Sequence, residues 1–263
     1  MKAFTKKELI EELRAISARG FIQSEAGTTD AAIGRTLEDL LGIEENNLPI
    51  PNASEWELKS KRMGSSALTS LVHPEPSPRA MKLVPQVLIP GYGWPHQDAG
   101  GRYPASELSF RQTLTHGQRT DRGFTFEIDN KDKRIVVTFD SSAVDARHSA
   151  WLSSVRKRSG LGPLDPSPYW GFDDLEAVIR QKLTNAFFVE AEKKKVDGIE
   201  YFWYRRVTIL TSFDFQKFLG VARQGALKVE FDARTGHNHG TKFRVQGNRL
   251  PDLYHTAQIV LDV

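Results

Sequence analysis

Glu57 and Lys59, in the run Asn52-Ala53-Ser54-Glu55-Trp56-Glu57-Leu58-Lys59, place an acid and a base two residues apart. On a β-strand, alternation turns Trp56 and Leu58 to one side and Glu55, Glu57 and Lys59 to the other. A carboxylate beside an ammonium at the end of a half-buried strand can hold a hard divalent cation and face a phosphate and its attacking water. Metal-dependent nucleases need that pairing. The same triplet also arises as a plain solvated strand face, so alone it assigns no function.

A second cluster is Gly236-His237-Asn238-His239-Gly240-Thr241-Lys242-Phe243-Arg244. The flanking glycines suggest a loop. Three readings are open: an ordinary polar turn, a set of donors and acceptors for base edges, or a metal site on the two histidines. Arginine or lysine suits guanine, and an amide or acid can accept from cytosine. No third metal ligand follows at useful spacing. His73, after an apolar run, is expected to be half-buried. His96, His116 and His148 fall in polar loops and are given no role.

The chain around these residues has 263 positions, 39% of them hydrophobic, enough for a real core. No run of 18 apolar residues occurs, and the start at Met1-Lys2-Ala3-Phe4 leads into an amphipathic pattern without a signal-peptide core. Cysteine is absent, which excludes disulfides and thiolate metal sites. A cytoplasmic location is the expectation. Net charge is only +3, but residues 217–250 carry Lys217, Arg223, Lys228, Arg234, Lys242, Arg244 and Arg249 against Glu230 and Asp232. Such a basic stretch attracts a phosphate backbone, or is a solvated face.

The positioning elements are an interleaved set of helices and strands. Thr5 and Glu8 fit a capping box ahead of Leu9, Leu13 and Ile16, with Gly20 as the stop. A second helix is expected from Thr29 or Asp30 to Gly42, carrying Glu38 among Ile33, Leu37, Leu40 and Leu41; in isolation Glu38 reads as a surface glutamate. Residues 44–53 read as a loop feeding the strand with Glu57. Residues 67–72 read as a strand, and 90–122 as a long functional or disordered loop. Hairpins are expected at 124–139 and 186–209, the latter turning at Asp197-Gly198. Residues 156–160 read as a polar loop and 172–183 as a helix. Ser212 is expected to cap a helix ending at Gly225, before a strand at 227–231. The class is α/β, a mixed sheet flanked by helices.

Several stretches in order resemble the MvaI/BcnI family of monomeric Type II restriction endonucleases, relatives of the mismatch-repair nickase MutH. They are Lys6-Lys7-Glu8-Leu9, Ile33-Gly34-Arg35-Thr36-Leu37-Glu38, Glu44-Glu45-Asn46-Asn47, Glu55 to Lys59, Leu68 to His73, Tyr169-Trp170-Gly171-Phe172-Asp173, and His237 to Arg244. The resemblance implies a PD-(D/E)xK restriction-endonuclease-like fold in one two-lobed unit over 1–263. The catalytic core would include about 1–85 and the base-recognition elements about 226–250, the lobes forming a DNA-binding cleft. It also implies a monomer that cuts double-stranded DNA at short CC-N-GG-like sites with Mg²⁺, in a bacterial or archaeal cytoplasm beside a cognate DNA methyltransferase.

Carried over by residue, the resemblance makes Glu57 a metal ligand and Lys59 the residue that orients or activates the hydrolytic water, with Glu38 in support. Asn52 stands where the family has its other metal ligand, an aspartate. An amide oxygen brings no charge to a cation that prefers carboxylates. Asn52 is compatible with an inactivating substitution, with a natural change for which Glu55 or a water compensates, or with a catalytically silent DNA binder; a MutH-like nickase is a further alternative. Arg244 matches a guanine-reading arginine, and His237, Asn238 and His239 match the loop touching the CC/GG pairs, with Asn238 where relatives have aspartate. Arg234 joins this DNA-contacting set. His73 matches a reader of the central pair in the CCSGG-cutting branch, and Lys242 replaces that branch's second reader, a histidine. Together they lean toward a G·C centre, that is, CCSGG.

Overall fold

The computed structural model describes residues 4–27, 32–43 and 55–263. The expected loop at 44–53 and the expected helix start at Thr29 or Asp30 lie outside them. In chain order the first elements are α1 (Lys6–Ala18), β1 (Ile22–Gln23), α2 (Ala32–Leu41), β2 (Glu57–Arg62), β3 (Leu68–Val72), α3 (Ile89–Tyr92) and β4 (Trp94–Pro95). Then come β5 (Leu108–Thr115), β6 (Arg122–Asp129), β7 (Arg134–Val144), α4 (Ser149–Ser159), β8 (Tyr169–Gly171) and α5 (Phe172–Leu183). The last are β9 (Asn185–Val196), β10 (Ile199–Phe213), α6 (Phe215–Arg223), β11 (Leu227–Arg234), β12 (His237–Gln246) and β13 (Tyr254–Asp262). Among the described residues no helix is long and apolar enough to cross a membrane. The chain forms two compact units, one from residues 1–69, 178–217 and 246–263, the other from 70–177 and 218–245.

The first unit is built on a five-stranded mixed sheet in the order β1-β10-β9-β2, with β13 also paired to β10. β9 and β10 form the long antiparallel hairpin expected from the sequence, and β2 lies parallel to β9 with Glu57 opposite Ala186. One face of the sheet is apolar. Trp56, just before β2, and Leu58 of β2 join Phe187, Val189, Phe202 and Tyr204 there, under Leu9, Leu13 and Ile16 of α1 and Ile33, Leu37 and Leu41 of α2. The Tyr204 hydroxyl donates to the Ile33 carbonyl at 2.9 Å and so ties β10 to α2 without leaving a buried donor unpaired. The capping box forms as expected: Glu8 N–H reaches Thr5 Oγ1 at 3.2 Å and Thr5 N–H reaches Glu8 Oε2 at 2.8 Å.

Period-two alternation sends Glu57, Lys59 and Lys61 to the opposite face. There Lys61 pairs with Glu190 of β9 at 3.4 Å, Glu190 with Arg206 of β10 at 3.8 Å, and Arg206 with Asp262 of β13 at 3.0 Å. Alternating charge on neighbouring strands stabilises the order of the sheet in this register.

The second unit holds a five-stranded sheet, β3-β12-β11-β5-β4, antiparallel from β12 to β4, and a three-stranded sheet, β6-β7-β8. Its core is aromatic. Phe110 meets Phe124 edge-on at 5.3 Å and Phe231 at 5.5 Å, and Trp170 meets Phe243 at 5.0 Å. The two buried indoles have carbonyl partners, Trp170 with Pro74 and Trp151 with Tyr92, each at 3.0 Å.

Several sequence expectations are corrected here. The region 90–122 contains β4 and β5, and is not one long loop. β5 does alternate, with Phe110 and Leu114 buried, but the position between them is the buried polar Gln112, which hides the pattern. Residues 156–159 are the last turn of α4, which buries only Trp151 and Val155, too sparse a stripe to stand out among cations. His237 to Arg244 belong to β12, not to a loop. Arg234 pairs directly with His237, and Gly236 takes φ +75° in the two-residue turn between.

Ser212 is not the cap of α6. Asp214 is, its carboxylate accepting from the backbone N–H of Gln216 at 2.7 Å and of Lys217 at 3.0 Å. The Lys217 N–H bond is the main cause holding this carboxyl below its ordinary range; partial burial opposes it, and Gln216 and His255 add to it. A carboxyl lowered on folding contributes stability that is present above its unfolded pKa and lost as pH falls through its lower folded pKa. Asp214→Ala is therefore expected to cost about 1 kcal/mol at neutral pH. The deficit should shrink on acidification below the usual aspartate range, as measured by urea unfolding across pH.

Candidate active site and nucleic-acid interface

In the first unit, the Glu57 side chain is 1% exposed. A buried carboxylate is costly without compensation. Lys59, on the same strand face, brings its Nζ to 2.7 Å from Glu57 Oε1. Lys182 brings a second ammonium to 3.6 Å from the same oxygen. Lys182 lies in the last turn of α5, just before β9, the strand parallel to β2, so the helix delivers it over the start of the shared sheet. Tyr254 opens β13 and is also buried. Burial first, and then the Glu57 charge, raise its pKa far above the phenolic range, so it stays a neutral donor. Its hydroxyl has no hydrogen-bond partner among the described residues.

Sequence reasoning thus paired Glu57 with Lys59, and missed Lys182 and Tyr254. Both come from distant elements, and no spacing rule points to them. Glu38 is half-buried on α2, one turn after Gly34, and α2 packs along β2. Glu55 is exposed, in the turn before Trp56. Asn52 lies outside the described residues. Among the described residues no three His, Asp or Glu side chains gather as a ready cation site. The donors that the resemblance names are nevertheless of the right type for Mg²⁺: the Glu57 carboxylate, the amide that the sequence puts at 52, and the Glu38 carboxylate are all hard oxygen ligands. They suit the ion in chemistry and are short of negative charge.

In the second unit, β11 and β12 alternate cleanly, with Val229, Phe231, Thr241, Phe243 and Val245 buried and the charged residues outward. Arg244 Nη1 pairs with Glu230 Oε2 at 2.7 Å, and Lys242 reaches Glu230 at 3.4 Å and Asp232 at 3.9 Å. Arg111 of β5 holds Asp232 at 2.9 Å. Lys228 donates to Thr115 Oγ1 at 2.7 Å, and burial lowers its pKa. Arg234 turns aside to Glu107 at 2.8 Å and lies over the Tyr103 ring at 4.3 Å. This sheet face alternates its cations with carboxylates, so that each long side chain is held in place by a partner.

His237 and His239 are exposed and stand side by side, with nitrogens 3.3 Å apart. Asn238 is braced from both ends: its carbonyl accepts from Gly240 N–H at 3.0 Å, and its amide donates to Glu75 Oε2 at 3.3 Å. Glu75 also takes the Thr241 N–H at 3.0 Å. His73 is exposed, not half-buried as expected; it follows β3, the neighbour of β12 in the same sheet. His96, given no role, is buried, its Nδ1 accepting from Asp98 N–H at 3.0 Å.

The model of the MvaI/BcnI restriction endonuclease family matches residues 10–254. Among solved structures, the chain is similar to the restriction endonuclease MvaI–cognate DNA substrate complex. Identity is 22%, over 98% of this chain and 100% of that one, with a TM-score of 0.77. It is also similar to restriction endonuclease MvaI in the absence of DNA, at 22% identity over 99% and 100%, with a TM-score of 0.55. No match was found among curated proteins.

Proposed function

Because the chain belongs to the MvaI/BcnI restriction endonuclease family, we propose that it is a Type II enzyme with a PD-(D/E)xK-type core, hydrolysing double-stranded DNA at a short CC-N-GG-like site. The observation that carries this reading is the buried Glu57 carboxylate held 2.7 Å from Lys59 on one strand face. Glu57 and Asn52 would hold Mg²⁺, with Glu38 of α2 in support. When bound, that ion polarises the scissile phosphate and lowers the pKa of water. Lys59, fixed by Glu57, donates to the water or to a phosphate oxygen and opposes the charge that develops there. Burial keeps bulk water from the carboxylate. A monomer acting on one strand and then the other, next to a host methyltransferase in the cytoplasm, completes the reading.

Base recognition falls to His73, Arg234, His237, Asn238, His239, Lys242 and Arg244. Arg244 reads guanine, Asn238 accepts from cytosine, and His73 with Lys242 favours a G·C centre, hence CCSGG. Arg244→Ala is expected to lose about 1–3 kcal/mol of discrimination at one base pair, roughly 5–150-fold, in competition binding against single-base variants of the site.

Supercoiled plasmids bearing CCSGG or CCWGG sites test the whole reading. Mg²⁺-dependent cutting confined to CC-N-GG sites is expected, with none in chelator. A second reading, a sequence-selective DNA binder with impaired cleavage, draws on the amide at 52 and on the two ammoniums already on Glu57. Selective binding with no cutting, by the wild type and by Asn52→Asp alike, would replace the first reading with the second.

A further inference from the structure

Two ammonium groups converge on a single oxygen of Glu57, and these three groups sum to one positive charge. A buried carboxylate needs one counter-charge; the second exceeds that need. Lys59 is the closer and the less exposed, at 2.7 Å and 15%. Lys182 is the farther and the more exposed, at 3.6 Å and 21%, and it stands on a helix end from which its flexible stem can swing into solvent. The Tyr254 hydroxyl, buried against the same charge, still has a hydrogen bond to make. Around this carboxylate, then, one cation is tightly built in and one is replaceable.

We propose that Lys182 is a resident counter-ion that a divalent cation must displace from Glu57, a positioning residue that sets how tightly this chain takes its metal. The inference rests on Glu57 being the metal ligand. Its physical basis is Coulombic. An ammonium a few ångströms from an incoming dication repels it in a poorly screened site, and Lys182 stands 3.6 Å from an oxygen that the ion would take. Lys182 therefore adds a second counter-charge to the buried acid while the metal is absent and weakens metal binding when it arrives.

Mn²⁺ titration of the full-length protein, followed by electron paramagnetic resonance of the free ion, reads this without any cleavage. Lys182→Met keeps the aliphatic stem and removes the charge; it should bind Mn²⁺ on the order of ten-fold more tightly than wild type. Lys182→Gln should do likewise, and Lys182→Arg, which keeps the charge, should stay close to wild type. A lysine that served only packing would give weaker or unchanged binding on removal. Unchanged or weaker affinity in both neutral variants, with binding still dependent on Glu57, would overturn this inference alone. Mn²⁺ binding that survives Glu57→Ala would instead remove the metal from Glu57 and with it the catalytic reading beneath.

Discussion

Asn52→Asp is expected to accelerate DNA cleavage by on the order of 10²–10³-fold, the span seen when one preorganised electrostatic group is removed from or returned to a reaction centre. The amide at 52 stands five residues before Glu57, where the family resemblance puts a carboxylate. An amide oxygen can still ligate, but it adds no charge to a donor set that already carries more ammonium than carboxylate at Glu57. Restoring an anion would strengthen both cation binding and neutralisation of the phosphate in the transition state. The measurement is the rate at which supercoiled plasmid disappears with enzyme in excess and saturating Mg²⁺. A rate that does not change, in a protein whose cutting is abolished by Glu57→Ala, would show that position 52 takes no part in the reaction.

Glu57→Ala should remove cleavage altogether in either background, a fall of at least roughly 10³-fold from the Asn52→Asp rate. It should also destabilise the first unit. The substitution strips the shared anion from Lys59 and Lys182 and leaves their two ammoniums facing each other over a buried site. Breaking a buried pair in this way costs about 3 kcal/mol; the partial exposure of both lysines keeps the figure toward the low end of such losses. Urea unfolding gives the stability, and filter binding to a duplex carrying the site gives the affinity. Inactivity with near wild-type DNA affinity at a temperature where the variant is folded is the expected pair of results. Retained cutting would remove Glu57 from the chemistry.

Local patterns were legible where alternation or capping acts over a few residues. The Thr5–Glu8 box, the hairpin expected at 186–209 and the division of Trp56 and Leu58 from Glu57 and Lys59 all follow from spacing, and all form. Patterns failed where a buried polar residue breaks the apolar rhythm, as Gln112 does in β5, or where charge conceals a short apolar stripe, as in α4. The candidate sites divide in the same way. Glu57 and Lys59 are two residues apart and could be paired by eye. Lys182 reaches Glu57 because β9 happens to lie beside β2, and Glu230 meets Arg244 only through the pairing of β11 with β12. Glu75 supports Asn238 from 163 positions away. Contacts of that range are properties of topology, and no periodicity encodes them.

The Asn238–Glu75 contact constrains how this surface can change. An aspartate at 238, the residue that the family resemblance puts there, would set two carboxylates about 3.3 Å apart, where like charges repel. Glu75 cannot simply leave, because it also receives the Thr241 N–H beside the same turn. Changes at 238 and 75 are thus coupled: an acid at 238 alone sets like charges together, and a neutral residue at 75 alone takes the acceptor from Thr241 N–H.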